Sequence, residues 1–290
     1  MLGQRVLSAI VIVAVAIVPA VLGHPILTIA LFALAGLGIN EFARAVSTVG
    51  VQLLTIPVLI VSALLITASG FSDSLALLLG ITILGSIFLF IAAIGRGVIE
   101  GATRNWSFSV GSMLYIGLPL AHMTLIRGHG DDDVSSWIQS VNNLSVGSPP
   151  AAGLAWLVLI VAITWMTDSA AYLGGRALGR TKLAPTLSPG KTIEGALSGA
   201  IVGGLTAVGA AALLGLPIPL YAAAVTGLLI SSLGQAGDLA ESLIKRDLGI
   251  KDMGNLIPGH GGILDRIDAL LFTLPAGFYL MLLTTEIGWP

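Results

Sequence analysis

Cysteine is absent from the 290 residues. That excludes disulfides, thiolate metal sites and a cysteine nucleophile, and it leaves the compartment open. Charge is scarce as well. Asp, Glu, Lys and Arg make up 10% of the chain, against about 25% in an average soluble domain. So few ionic groups cannot cover a water-exposed surface. With a net charge of -2 there is no bulk basic field either, so no nucleic-acid partner is expected.

The chain is instead rich in apolar residues, 56% of the total, gathered in blocks of about 17 residues or more with few interior charges. A bilayer core of about 30 Å needs roughly 20 such residues per helix. The expected fold class is therefore all-α, a polytopic transmembrane helical protein of about nine spans. Their approximate bounds are residues 5–23, 25–45, 52–69, 74–95, 107–126, 152–176, 192–214, 218–237 and 263–284. Gly-Pro and polar breaks separate them, among them His24-Pro25, Ser188-Pro189-Gly190 and Leu216-Pro217. The first block, Val6 to Leu22, follows Arg5 and is not followed by a clear small-residue cleavage site. It is read as a retained helix instead of a signal peptide. Gly199, Gly203 and Gly204 give the seventh span a small-residue face suited to close helix packing.

Positive charge sets the expected orientation. With a cytoplasmic amino terminus, that side holds Arg5, Arg44, Arg96, Arg104, Arg176, Arg180, Lys182, Lys191, Lys245, Arg246, Lys251 and Arg266, and the other side holds Arg127 alone. An odd number of spans then puts the carboxy terminus outside. The simplest location is a bacterial inner membrane.

Two regions are expected. Residues 1–150 form an amino-terminal transmembrane region of about five spans, a scaffold or lipid cavity. Within it, Glu41 and Arg44 lie one helical step apart and read as a local pair, and Asp131-Asp132-Asp133 reads as a solvated loop. Residues 151–290 hold the chemistry. Polar residues concentrate there in two segments connected by two spans, which returns both to one membrane face. One runs from Asp168 to Glu194, with Arg176, Ser188, Lys191 and Thr192; the other runs from Gly234 to Asp268.

Asp168 falls in an otherwise apolar span, where a carboxylate costs a few kcal/mol unless it is paired or faces water. Asp238, Glu241, Asp265 and Asp268 offer hard oxygen donors suited to Mg²⁺. Asp265 and Asp268, spaced i, i+3, share a helix face. Lys191, Lys245, Arg246, Lys251 and Arg266 add cations, and Gly261 and Gly262 add bare backbone amides. Such a set suits a metal–polyphosphate: metal and cations neutralise phosphate charge while the amides approach its oxygens. His260, between glycines, has a phosphate donor, a base or a loop-shaping residue as its alternatives.

The run Ser242-Leu243-Ile244-Lys245-Arg246, then Lys251-Asp252-Met253-Gly254, then Ile257-Pro258-Gly259-His260-Gly261-Gly262-Ile263-Leu264-Asp265-Arg266-Ile267-Asp268 resembles the signature of the phosphatidate cytidylyltransferase family. Asp168, Gly175-Arg176 and Ser188 to Gly195 are similar to the family's upstream segments. The resemblance implies CMP transfer from CTP to phosphatidic acid, giving CDP-diacylglycerol and pyrophosphate in phospholipid biosynthesis. It implies Mg²⁺, as two divalent ions or one with K⁺, held by Asp238 and Asp265 with Asp268 beside them. Catalytic roles are expected for Lys191, Lys245, Arg246, Arg266 and His260. Substrate contacts are expected from Asp168, Arg176, Ser188, Thr192, Glu194, Lys251, Gly261 and Gly262. Further expectations are phosphatidic acid drawn from the cytoplasmic leaflet and a homodimer. Two other readings fit an apolar chain with these groups: a CTP-dependent polyprenol or phytol-type lipid kinase, and a secondary transporter using Asp168 as a coupling-ion site. No internal repeat supports the transporter.

Overall fold

In a hydrocarbon layer the backbone must satisfy its own hydrogen bonds, so each apolar block is expected to close into a helix. The computed structural model describes residues 17–72, 74–256 and 261–286 and has that character. After a helical stretch at 17–22 come α1 (Ile26–Ser47), α2 (Thr55–Phe71), α3 (Leu75–Gly95), α4 (Ala102–Gly128), α5 (Ser136–Asn142) and α6 (Ala151–Leu178). A short antiparallel hairpin follows, β1 (Lys182–Ala184) and β2 (Ser188–Thr192), pairing Lys182 with Thr192 and Ala184 with Ser188. Then come α7 (Ile193–Leu214), α8 (Leu220–Asp247) and α9 (Leu264–Glu286). Among the described residues, 7 helices are long and apolar enough to cross a membrane: α1, α3, α4 and α6 to α9. Helix α2 is apolar but shorter, at 17 residues. The expected first span at 5–23 lies mostly outside the described residues. The hairpin departs from an all-helical chain, and its Pro-Gly strand and polar residues carry no helical periodicity.

Helix α3 makes the case for lipid most directly. Its mean hydropathy is 2.7, yet only 17% of its apolar window is buried. Leu79, Ile83, Leu84, Ile87, Ile91 and Ile94 all point outward. A contiguous apolar face of that size is at home in hydrocarbon, not in water.

The chain forms two compact units. The first comprises Met1–Gly128, Ser145–Gly147 and Asp247–Ile267. Segment Asp247–Ile267, expected with region 151–290, therefore clusters with the amino-terminal helices. Leu31, Ile39, Val58, Leu65, Met113 and Leu120 are buried in this unit. Inside α4 the turn Met113–Gly117 widens to a π-helix, and the Ser62 side chain fills the space where a Cβ of Gly117 would stand. Polar side chains here hold backbone. Arg96 donates to the carbonyls of Gln52 and Leu53, and Arg104 to that of Gly50. Asn105 and Ser109 accept the amides of Gln52 and Leu54. Arg127, fully buried, donates to the Ala20 and Val21 carbonyls at the end of the 17–22 helix, where a cation is favoured.

The second unit comprises His129–Leu144, Ser148–Arg246 and Asp268–Pro290. Its helices approach closely through small residues. The Cβ positions of Gly203 and Gly227 are occupied by Ser231, Thr167 and Ala207 atoms, which is how membrane helices pack without a water-driven force. Buried hydroxyls pair across helices, Thr167 with Ser231 at 2.8 Å and Thr164 with Thr273 at 3.1 Å.

Candidate active site

In the second unit, charged side chains converge from four elements. Asp168 is on α6, Lys191 on β2, Asp238 and Lys245 on α8, and Asp268 in an early turn of α9. Gly237 lets α8 and α9 touch: a Cβ there would meet the Asp268 carbonyl at 2.8 Å. That contact sets Asp238 and Asp268 beside each other. The carboxylates of Asp168, Asp238 and Asp268 repel one another, with Lys191 and Lys245 opposing the repulsion. Asp168 is exposed although it lies in a membrane-length helix. A carboxylate so placed would be costly against lipid, and the neighbouring Lys191 offsets part of that cost.

Two ion pairs hold the lysines. Lys191 Nζ lies 2.7 Å from Asp238 Oδ2, with both side chains partly exposed. Such a pair is worth about 1 kcal/mol or less, so a metal ion or phosphate can displace either partner cheaply. Lys245 Nζ lies 2.6 Å from Glu241 Oε2, one turn earlier on α8, and that carboxylate is 1% exposed. This second pair is buried and structural in strength. It fixes Lys245 near Asp268. Glu241 is the partner that orients Lys245, and its i, i+4 spacing is the signal by which sequence can find it.

The hairpin presents Lys191. Thr192 caps α7, its hydroxyl accepting the Gly195 amide at 3.1 Å, a common N-cap bond. Glu194, in the first turn of α7, accepts the amides of Arg180 and Thr181 at 3.0 and 3.1 Å. Both residues, expected to contact substrate, shape the hairpin that carries Lys191 in this structure. Ser188 opens β2, and Arg176 stands exposed in the last turn of α6. Arg246, also exposed, donates to the Leu187 carbonyl at 3.1 Å and so ties the end of α8 to the hairpin.

The remaining expected residues belong to the first unit. Lys251 and Arg266 are exposed. Asp265 Oδ2 accepts two backbone amides, Met253 at 3.0 Å and Gly262 at 2.8 Å. Gly261 has φ +80, a left-handed conformation that glycine adopts without strain. His260 lies outside the described residues. One buried acid was read differently from sequence. Glu41, 6% exposed, accepts the Leu264 amide at 3.1 Å instead of forming the local pair expected with Arg44.

The donor set fits a divalent ion. Asp168, Asp238 and Asp268 supply only hard oxygens, as Mg²⁺ requires. Among the described residues no three acidic or histidine side chains form a ready ion cage. Mg²⁺ does not need one, since it is commonly held by one or two carboxylates plus substrate phosphates. Asp265, held by two amides, has the outer hydrogen bonding usual for a ligating carboxylate.

Comparison with known proteins agrees with this chemistry. A model of the cytidylyltransferase family matches residues 3–284. A phosphatidate cytidylyltransferase of Bacillus subtilis (strain 168) is 43% identical over 131 residues, 45% of this chain and 49% of that one. One of Brucella suis is 50% identical over 123 residues, 41% of this chain and 44% of the relative. One of Synechocystis is 46% identical over 137 residues, 47% of this chain and 46% of the relative. The chain spans about half the length of the curated relatives it matches. With the family model running almost end to end, the chain belongs to the cytidylyltransferase family.

Proposed function

We propose that the protein transfers CMP from CTP to phosphatidic acid, giving CDP-diacylglycerol and pyrophosphate. The observation that carries this reading is the convergence of Asp168, Asp238 and Asp268 with Lys191 and Lys245 in a family of cytidylyltransferases. Three carboxylates and Lys245 on membrane-length helices, with Lys191 on the hairpin, suit a metal-bound triphosphate and a lipid phosphate. Relatives named phosphatidate cytidylyltransferase support the choice of acceptor.

In this mechanism a phosphate oxygen of phosphatidate attacks the α-phosphorus of CTP. A new P–O bond forms, the bond from that phosphorus to the bridging oxygen breaks, and pyrophosphate leaves with the electron pair. Phosphatidate is largely ionised near neutral pH, so no strong base is needed and His260 is assigned no proton. Metal ligation is proposed for Asp238 and Asp268 within the second unit, and separately for Asp265 in the first. When bound, Mg²⁺ neutralises phosphate oxygens and orients the triphosphate. Lys191 and Lys245 stabilise charge growing on the leaving pyrophosphate. Phosphate binding is proposed for Arg246 in the second unit and, separately, for Lys251 and Arg266 in the first, and Asp168 orients Lys191. Positioning and charge do most of the work in such chemistry, and no covalent protein nucleophile is required.

About nine spans are proposed, with the amino terminus and active site cytoplasmic, the carboxy terminus outside, and the protein a homodimer in a bacterial inner membrane. The basic asymmetry across the loops supports the orientation. Because the chain is free of cysteine, single cysteines placed at Lys251 or Asp132 can report sidedness directly. Labelling of both from the periplasmic side of intact cells would overturn the topology.

The decisive experiment supplies purified protein with α-labelled CTP, phosphatidic acid and Mg²⁺. Label in CDP-diacylglycerol with release of pyrophosphate is expected, and chelation of the metal stops it. Release of CDP with a γ-phosphorylated lipid would make it a kinase instead.

A further inference from the structure

Glu41 is a buried acid contributed by α1, and no role follows for it from the phosphoryl chemistry itself. Its carboxylate sits among backbone atoms of the signature segment. Oε2 accepts the Leu264 amide at 3.1 Å, from a residue 223 positions away in the chain. Oε1 is buried without a hydrogen-bond partner among the described residues. A Cβ at Gly254 would stand 2.5 Å from Oε1, and one at Gly262 would stand 2.5 Å from Oε2. Real Cβ atoms do not approach so closely. The Glu41 carboxylate fills the space where side chains of these two glycines would be, so a Cβ at either glycine would push that carboxylate out of its place.

We propose that Glu41 is a positioning residue for CMP transfer, clamping both flanks of the signature segment so that Lys251 and Arg266 are presented to phosphate. The clamp has two arms. Asp265 Oδ2 gathers the Met253 and Gly262 amides from the side of α9, and Glu41 holds Gly254, Gly262 and Leu264 from the side of α1. Met253 and Gly262 are thereby tied to Asp265 and Leu264 to Glu41, with Gly254 packed against the same Glu41 carboxylate. Without Glu41 the Leu264 amide, at the first turn of α9, is left buried and without its acceptor. The catalytic part of this inference rests on the function proposed above; the clamp itself does not.

The test compares Glu41→Ala, Glu41→Gln and Gly262→Ala in the full-length protein, in micelles. Hydrogen–deuterium exchange reads the clamp without substrate. Glu41→Ala should speed exchange at the Leu264 amide by about tenfold to a hundredfold, with the rest of α1 unchanged. CTP turnover should fall by a similar factor at an unchanged amount of folded protein. Glu41→Gln keeps an acceptor oxygen of the same reach and should retain most of both. Gly262→Ala drives a methyl into the carboxylate and should lose turnover, while Glu41→Ala added to it makes room and should cause no further loss. Unchanged exchange in Glu41→Ala, a Gln variant as damaged as the Ala variant, or additive losses in the double variant would each overturn the clamp. If the wild type itself transfers no CMP, the functional reading fails while exchange at Leu264 still judges the clamp. Should Glu41→Ala not fold, the Gln and Gly262→Ala variants carry the same comparison.

Discussion

The two units differ in what their charged side chains meet. In the first, side chains bind backbone: Arg96, Arg104 and Arg127 donate to carbonyls, and Glu41 and Asp265 accept amides. In the second, side chains meet side chains: Lys191 with Asp238, Lys245 with Glu241, Thr167 with Ser231. Around these pairs, Glu194, Thr192, Arg246, Lys182 and Asp132 of the second unit also bind backbone and shape its hairpin and loops. Groups that satisfy backbone fix a shape, and of these Asp265 alone is also proposed to hold metal. Carboxylates that face one another and are balanced by weakly held lysines remain ready for a metal and phosphates. The comparison separates residues that build a site from residues that act in it.

The largest expected effect tests the acting side. Asp238→Asn removes a charge from the carboxylate group and should lower CMP transfer by about a hundredfold or more, with little change in thermal stability because the residue is only half-buried. Near-normal turnover would break the comparison at its centre. Next is Glu241→Ala, which strips Lys245 of a buried partner and should cost about 3 kcal/mol of stability. Thermal unfolding in micelles measures it, and a midpoint equal to wild type would mean the pair is ornamental. Asp265→Ala and Asp265→Asn then sharpen the assignment of that residue. If it only holds backbone, Asn keeps one acceptor and loses about 1 kcal/mol locally. If it also ligates metal, Asn abolishes turnover while amide exchange at Met253 barely changes, and this second outcome is the expected one.

The smallest effect is one of pH. Burial, with the nearby Arg127 guanidinium, holds the His24 imidazole below its usual range. The unfolded chain takes up a proton near pH 6.5 that the native state refuses. Stability is therefore full above that pH and declines as pH falls towards the depressed native value. The melting midpoint should drop between pH 7.5 and 5.5, and His24→Gln should reduce that drop by a few degrees. An identical pH profile in the variant would remove His24 from the account.

Much of the helical frame was legible from sequence, since an apolar block between Gly-Pro breaks has few alternatives in a bilayer. Helices α3 and α7 fall within a residue or so of their expected spans. Elsewhere the sequence spoke less clearly. Glu41 looked like a partner for Arg44 because helical spacing is the only relation a local reading can see, and its true partner is an amide 223 residues away. Lys191 was expected beside acids, but the hairpin that presents it was not, because five residues containing Pro-Gly show neither period. Arg127 counted as a lone outer charge, and the structure buries it as a cap for the helix at residues 17–22. Spacing reveals charge and periodicity; it does not reveal which backbone atoms a folded loop leaves needing a partner.

The lengths of α6 and α8 carry a consequence for the surrounding bilayer. Each has 28 residues, where α7 between them has 22. At 1.5 Å per residue the longer helices run about 42 Å and α7 about 33 Å, beside a hydrocarbon layer of about 30 Å. The surplus lies at the carboxy-terminal ends, where Arg176, Lys245 and Arg246 are found. Asp168 and Asp238 then sit near the edge of the acyl region instead of its middle. A thicker membrane would draw both carboxylates towards hydrocarbon and a thinner one would lift them into the headgroups. Hydrophobic thickness would thus act on the candidate site itself, through the depth at which two overlong helices leave the lipid.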